Sequence, residues 1–236
     1  MARCRTTPCS DGLGRSLERT APITRSRPTS LSMTAPDEWE LREEVTEYET
    51  GWYDGGYDLL EQPNGIEKRY YWADLPPAVV VVARIDGTLA ASVDSDETET
   101  DDERDANSGS DGDHLLFVEQ YRPAIRETHL ELPAGIVEDG ESYTRAAARE
   151  LEEETGFKPS STALLQEYAV ATGVLRHDRG IVYAEGLEPG ERELDNNEFL
   201  EVTTVPVEAA LERAREQPAN DSTVSALLLA KEDGVL

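Results

Sequence analysis

Arg149, Glu150, Glu153 and Glu154 form the run R-E-L-E-E-E, closed by Thr155-Gly156. On a helix, Glu150 lies three and four residues before Glu153 and Glu154, so all three carboxylates share one face. Like charges so close repel one another, at a few tenths of a kcal/mol for each helical pair. A divalent cation would turn that repulsion into coordination, because Mg²⁺ prefers hard oxygen donors. Taken alone, the same glutamates could equally be a solvated acidic face, since the chain carries 50 Asp and Glu against 22 Lys and Arg.

The flanking positions separate the two readings. From Gly135 to Phe157 the segment fits G-x5-E-x7-R-E-U-x-E-E-x-G-U, where U is a bulky apolar residue. Gly135, Glu141, Arg149, Glu150, Leu151, Glu153, Glu154, Gly156 and Phe157 fill every fixed position. This stretch resembles the Nudix box, and the chain looks like a Nudix hydrolase. Glu119-Gln120-Tyr121-Arg122-Pro123, Leu130-Glu131-Leu132-Pro133-Ala134-Gly135 and Asn197-Glu198-Phe199-Leu200-Glu201-Val202 are similar to the ADP-ribose pyrophosphatase branch of that family.

The resemblance implies a set of roles. Glu150 and Glu154 would bind Mg²⁺ (or Mn²⁺) directly, Glu153 would bind it or orient water, and the Ala134 carbonyl would add a ligand. Arg149 would brace the carboxylates from behind, with Glu141 and Gly135 supporting them. A further carboxylate should help deprotonate the attacking water, with Glu198 first and Glu201 second. Arg122 suits forked phosphate oxygens better than Arg126 does, and Glu131 joins the substrate side. Trp72, Tyr70 and Tyr71 could stack on a purine or simply pack a sheet. The implied reaction is cleavage of the pyrophosphate of ADP-ribose or a related nucleoside diphosphate sugar to a nucleoside monophosphate and a sugar phosphate. Alternatives are a nucleoside triphosphate or dinucleoside polyphosphate as substrate, or a non-catalytic nucleotide sensor. Many ADP-ribose hydrolases carry a Ser-Pro-Gly turn where this chain has Ala171-Thr172-Gly173, which leaves the sugar open. His114, His129 and His177 have no zinc-site spacing, and the four-cysteine module usual in NADH pyrophosphatases is missing.

These residues need a scaffold, and the apolar pattern supplies one. Ala78–Ile85, Leu115–Tyr121, Ala163–Ala169, Ile181–Ala184 and Phe199–Val205 read as strands. Ser142 to Thr155 reads as the box helix, with Ser142 as N-cap and Gly156 as stop. Pro206 to about Gln217 and Ser222–Lys231 read as further helices. Asp86-Gly87 signals a hairpin turn and a short strand to Val93. Together they predict an α/β sandwich with a mixed sheet over 76–236, which agrees with the Nudix-type α-β-α sandwich that the resemblance implies. A small β-rich domain over 38–75 precedes it, with strands near Glu44–Tyr48 and Ile66–Trp72. The resemblance implies that this part builds a homodimer.

Residues 94–113 hold ten acids and one arginine and read as a solvated acidic loop. Residues 1–32 have six arginines against two acids, a net of +4, which leaves −32 of the total −28 for the rest. This basic extension holds both cysteines, Cys4 and Cys9, and Met33 follows it. It reads as a disordered arm or as sequence upstream of a true start at Met33. A net charge of −28 argues against nucleic acid and anionic membranes as partners. With Lys68, Lys158 and Lys231 the only lysines, the composition points to a halophile's cytoplasm.

Overall fold

In a computed structural model, the residues described are 39–93, 112–194 and 199–236. Residues 1–32, Met33, most of the acidic loop and Glu198 lie outside them.

The N-terminal part is a four-stranded sheet of β1 (Glu40–Glu49), β2 (Asp54–Glu61), β3 (Glu67–Asp74) and the short β9 (Leu175–Arg176), in the order β1-β2-β3-β9. Strand β2 runs straight through Gly55-Gly56. They sit inside the strand because a Cβ on Gly56 would strike the Val45 carbonyl, and one on Gly55 the Tyr48 ring. Backbone approach, and not a turn, requires glycine there.

The larger sheet joins β4 (Ala78–Ile85), β5 (His114–Arg122), β8 (Phe157–Ala169), β10 (Asp178–Pro189) and β11 (Leu200–Pro206) in the order β11-β5-β4-β10-β8. Strand β6 (Glu127–Glu131) adds to β5, and β7 (Ala134–Ile136) adds to β4. The β4–β10 pair is parallel and the other pairs of this sheet are antiparallel, so the sheet is mixed. The valine run of β4 is continuous because both its faces are covered. Val79, Val81 and Ala83 join the core beneath helix α2 (Tyr143–Thr155), with Ala146, Ala147 and Leu151. Val80 and Val82 join the opposite core with Ala210 and Ala214 of α3 (Val207–Ala214) and Ala226 and Leu227 of α4 (Asp221–Glu232). Helices on both faces of one sheet make the α-β-α sandwich that the sequence predicts.

One element differs. Gly87–Val93 is helix α1 and not a hairpin strand. Asp86 Oδ1 accepts the Thr88 N–H at 2.8 Å, the Ala90 N–H donates to the Asp86 carbonyl, and Ala90 is buried against the α2 side of the sheet. An aspartate that serves as a helix cap carries the same local signature as one that opens a turn. No helix among the described residues is long and apolar enough to cross a membrane.

Candidate active site

Helix α2 is bounded as its sequence suggests. The Ser142 hydroxyl accepts the Arg145 N–H at 3.3 Å, and Gly156 at φ 76° ends the helix with its N–H on the Glu152 carbonyl. Between these caps the apolar stripe of Ala146, Ala147 and Leu151 lies on the sheet, which turns the edge carrying Glu150 and Glu154 toward β7. Glu150 is only 8% exposed and Glu154 only 5%. Carboxylates this buried are costly unless they are paired.

Their partners are specific. Arg149 Nη1 donates to Glu150 Oε1 at 2.8 Å and to Glu153 Oε2 at 3.0 Å. Its Nη2 donates to Glu141 Oε2 at 3.1 Å and to the Ile136 carbonyl at 2.7 Å. Burial works against the Arg149 charge, but the carboxylates of Glu141 and Glu150 outweigh it and hold the pKa above its ordinary value. One planar fork thus ties the box helix, the Glu141 turn and β7 together.

Glu154 Oε2 accepts the Ala134 N–H at 3.1 Å. The Glu150 carboxylate presses so close to Gly135 that a Cβ there would overlap it. Glu150 and Glu154 therefore converge on the backbone of one dipeptide, Ala134-Gly135. That is a hard oxygen donor pair and it fits a divalent cation such as Mg²⁺ or Mn²⁺. Among the described residues no three His, Cys, Asp or Glu side chains form a ready-made metal cluster, so the convergence is of two carboxylates. Glu153 is turned to Arg149, and Ala134 meets Glu154 through its N–H.

Beside this pair, Arg122 at the end of β5 grips Glu131 of β6 with both arms of its fork, Nε to Oε1 at 2.9 Å and Nη2 to Oε2 at 2.5 Å. The bond to Glu131 raises the Arg122 pKa most, and the charge of Glu154 adds to it, which places Arg122 within electrostatic reach of the box. Glu131 is buried while the Arg122 side chain is 42% exposed. The pair presents a braced cation at the rim of the acidic cluster.

Other residues stand elsewhere. Trp72 belongs to the N-terminal sheet, where its Nε1–H donates to Asp58 and the Arg176 guanidinium lies 4.0 Å from its ring centroid. Arg176 in turn donates through Nη2 to both Asp58 oxygens and through Nη1 to Glu44. Tyr70 packs edge-on against Trp39, and Tyr71 against Tyr57. Arg126 sits in a tight turn at φ 61°, its N–H on the Arg122 carbonyl. Glu201 faces outward on β11 opposite Glu119. His129 is buried with neither ring nitrogen hydrogen-bonded, and His177 donates through Nδ1 to the Pro76 carbonyl at 2.7 Å. Arg192 was not legible as a participant, because a lone arginine between Glu191 and Glu193 forms no motif. Yet its Nε donates to the Glu154 carbonyl at 2.7 Å.

Residues 107–227 match the NUDIX domain. The chain belongs to the Nudix family. Among its relatives, the ADP-ribose pyrophosphatase of Bacillus subtilis (strain 168) is 34% identical over 48% of this chain and 62% of its own length. The ADP compounds hydrolase NudE of Escherichia coli (strain K12) is 31% identical over 51% of this chain and 65% of its own. The chain spans about three fifths of the length of these curated relatives. A solved structure of an ADP compounds hydrolase superposes with a TM-score of 0.64 at 25% identity, covering 83% of this chain and 93% of the other. This Nudix chain is thus similar in sequence and fold to proteins named for ADP-ribose and ADP compounds.

Proposed function

We propose that this Nudix protein hydrolyses the pyrophosphate bond of ADP-ribose or a closely related ADP-sugar. The observation that carries the reading is the convergence of Glu150 and Glu154 on Ala134-Gly135, with the Arg122–Glu131 fork beside it. The relatives named for ADP compounds support the substrate class.

Glu150 and Glu154 would hold a divalent cation, Mg²⁺ or Mn²⁺. When bound, it neutralises pyrophosphate charge and lowers the pKa of water. The chain's own residues do the rest. Arg149 holds Glu150 and Glu153 in a fixed orientation through the two bonds of its Nη1. Arg122, pre-set by Glu131, offers its exposed edge to a phosphate and need not lose rotamer freedom on binding. A loop carboxylate accepts the proton of the attacking water, with Glu198 first and Glu201 second. The water oxygen joins one phosphorus as the bridging P–O bond breaks, which leaves AMP and a sugar phosphate. The reading also includes a cytoplasmic homodimer built through the N-terminal sheet, where Leu41 and Tyr48 are exposed apolar groups on the edge strand β1 and Tyr71 is another on β3.

A panel of ADP-ribose, other ADP-sugars, nucleoside triphosphates and dinucleoside polyphosphates, each with Mg²⁺ in high salt, tests the substrate. The expected result is a kcat/KM highest for an ADP-sugar. A preference for triphosphates or polyphosphates overturns that part, and binding without turnover on the whole panel makes the protein a sensor.

A further inference from the structure

Helix α2 ends beside the candidate site, and the carbonyls of a last turn need partners from outside the helix. Here one later segment, residues 190–193, supplies most of them. The Glu152 carbonyl is taken by the Gly156 N–H at 2.8 Å, within the cap itself. The Glu153 carbonyl accepts from the Glu193 N–H at 3.1 Å, and the Gly156 carbonyl accepts from the Gly190 N–H at 2.7 Å. The Glu154 carbonyl accepts from Arg192 Nε at 2.7 Å. The other arm of the same guanidinium, Nη2, donates to the Leu200 carbonyl at 2.8 Å, at the first residue of β11. Arg192 is therefore a clasp between the residue whose side chain meets Ala134 and the strand that carries Glu201.

The choice of residue is informative. Arg192 is flanked by Glu191 and Glu193 in a chain of 50 acids, yet both of these bonds end on backbone carbonyls. A planar, rigid fork fixes the separation and angle of two acceptors at once, which a lysine ammonium on a flexible stem cannot do. A cation is also favoured against the partial negative charge of a helix C-terminus. Helix capping alone would need only one of the two arms.

We propose that Arg192 is a positioning residue, which holds the Glu153 and Glu154 end of α2 in register with the start of β11. It acts through those two elements and touches no substrate. The proposal rests on the reading of Glu154 as a working carboxylate. Small errors in such register are expensive, because a displacement of about 1 Å can cost on the order of a hundredfold in rate.

The test compares the full chain with Arg192→Ala and Arg192→Lys in three measurements. These are ADP-ribose turnover with Mg²⁺, melting temperature, and amide hydrogen exchange of the metal-free protein. In Arg192→Ala, kcat should fall about tenfold or more while KM stays within about twofold, and the Glu193 amide and the first amides of β11 should exchange faster. Arg192→Lys should recover the melting temperature, because a cation still caps the helix, but not kcat. Unchanged kcat in Arg192→Ala, or recovery of kcat together with stability in Arg192→Lys, overturns the proposal in favour of simple capping. Should the wild-type chain not turn over ADP-ribose, the substrate reading fails separately. The exchange measurement then decides, and unchanged exchange in Arg192→Ala removes the clasp.

Discussion

At the scale of single residues, Arg149 does what a lysine in its place could not. Its guanidinium meets Glu141, Glu150, Glu153 and the Ile136 carbonyl at once, which uses the fork's geometry and not merely its charge. A lysine would keep the charge and lose most of these bonds. Arg149→Lys is therefore expected to lower kcat about 10- to 100-fold, the usual cost of losing a partner that orients ligands. The same change should cost about 1–2 kcal/mol of stability, as buried carboxylates lose charge-assisted bonds. Steady-state kinetics and thermal melts check both, and retention of full activity would contradict the bracing role. The sequence showed which residues surround Arg149 but not that Glu150 abuts Gly135. Fixed spacing identifies a glycine without telling whether it serves a turn or a close approach, and here no positive φ is involved.

At the scale of elements, legibility follows periodicity and caps. Helix α2 was readable to its ends because Ser142 and Gly156 both have one dominant structural use, and β4 because an uninterrupted valine run belongs to a strand covered on two faces. Asp86-Gly87 misled because the same dipeptide serves a hairpin or a helix start, and only the absence of a partner strand at Gly87–Val93 decides. The contact of Arg192 with Glu154 spans 38 positions, beyond any local pattern. The joint between the two sheets makes a testable case. Just past β9, His177 donates to Pro76, and burial pushes its pKa below the ordinary value, with the Arg179 charge acting the same way. In the unfolded chain a histidine titrates near 6.5, so on acidification the unfolded state binds the proton first. Stability is then complete above about pH 6.5 and is lost as pH falls from there toward the lower folded pKa. Melting temperature measured from pH 7.5 to 5 should drop less steeply in His177→Gln than in the wild type, and parallel profiles would refute this assignment.

At the scale of the whole molecule, a net charge of −28 on 236 residues sets the conditions under which anything else can be measured. Self-repulsion opposes compaction and association, and salt at molar concentration shortens its reach to about 3 Å. The N-terminal sheet leaves β1 exposed along nearly its whole length, with Leu41 and Tyr48 on it and Tyr71 nearby in β3. Such an edge is expected to be covered by a second copy. Light scattering in about 2 M KCl should give twice the 26.1 kDa of one chain, and a monomer mass under those conditions contradicts the dimer. The central claim, however, concerns the two glutamates that meet at Ala134-Gly135. Its most direct test is ³¹P NMR of ADP-ribose incubated with Mg²⁺ and either the wild-type chain or Glu154→Gln. The account predicts AMP and ribose phosphate from the wild type, and a rate reduced by at least about a hundredfold in a variant that remains folded. Equal turnover by the two proteins would contradict it.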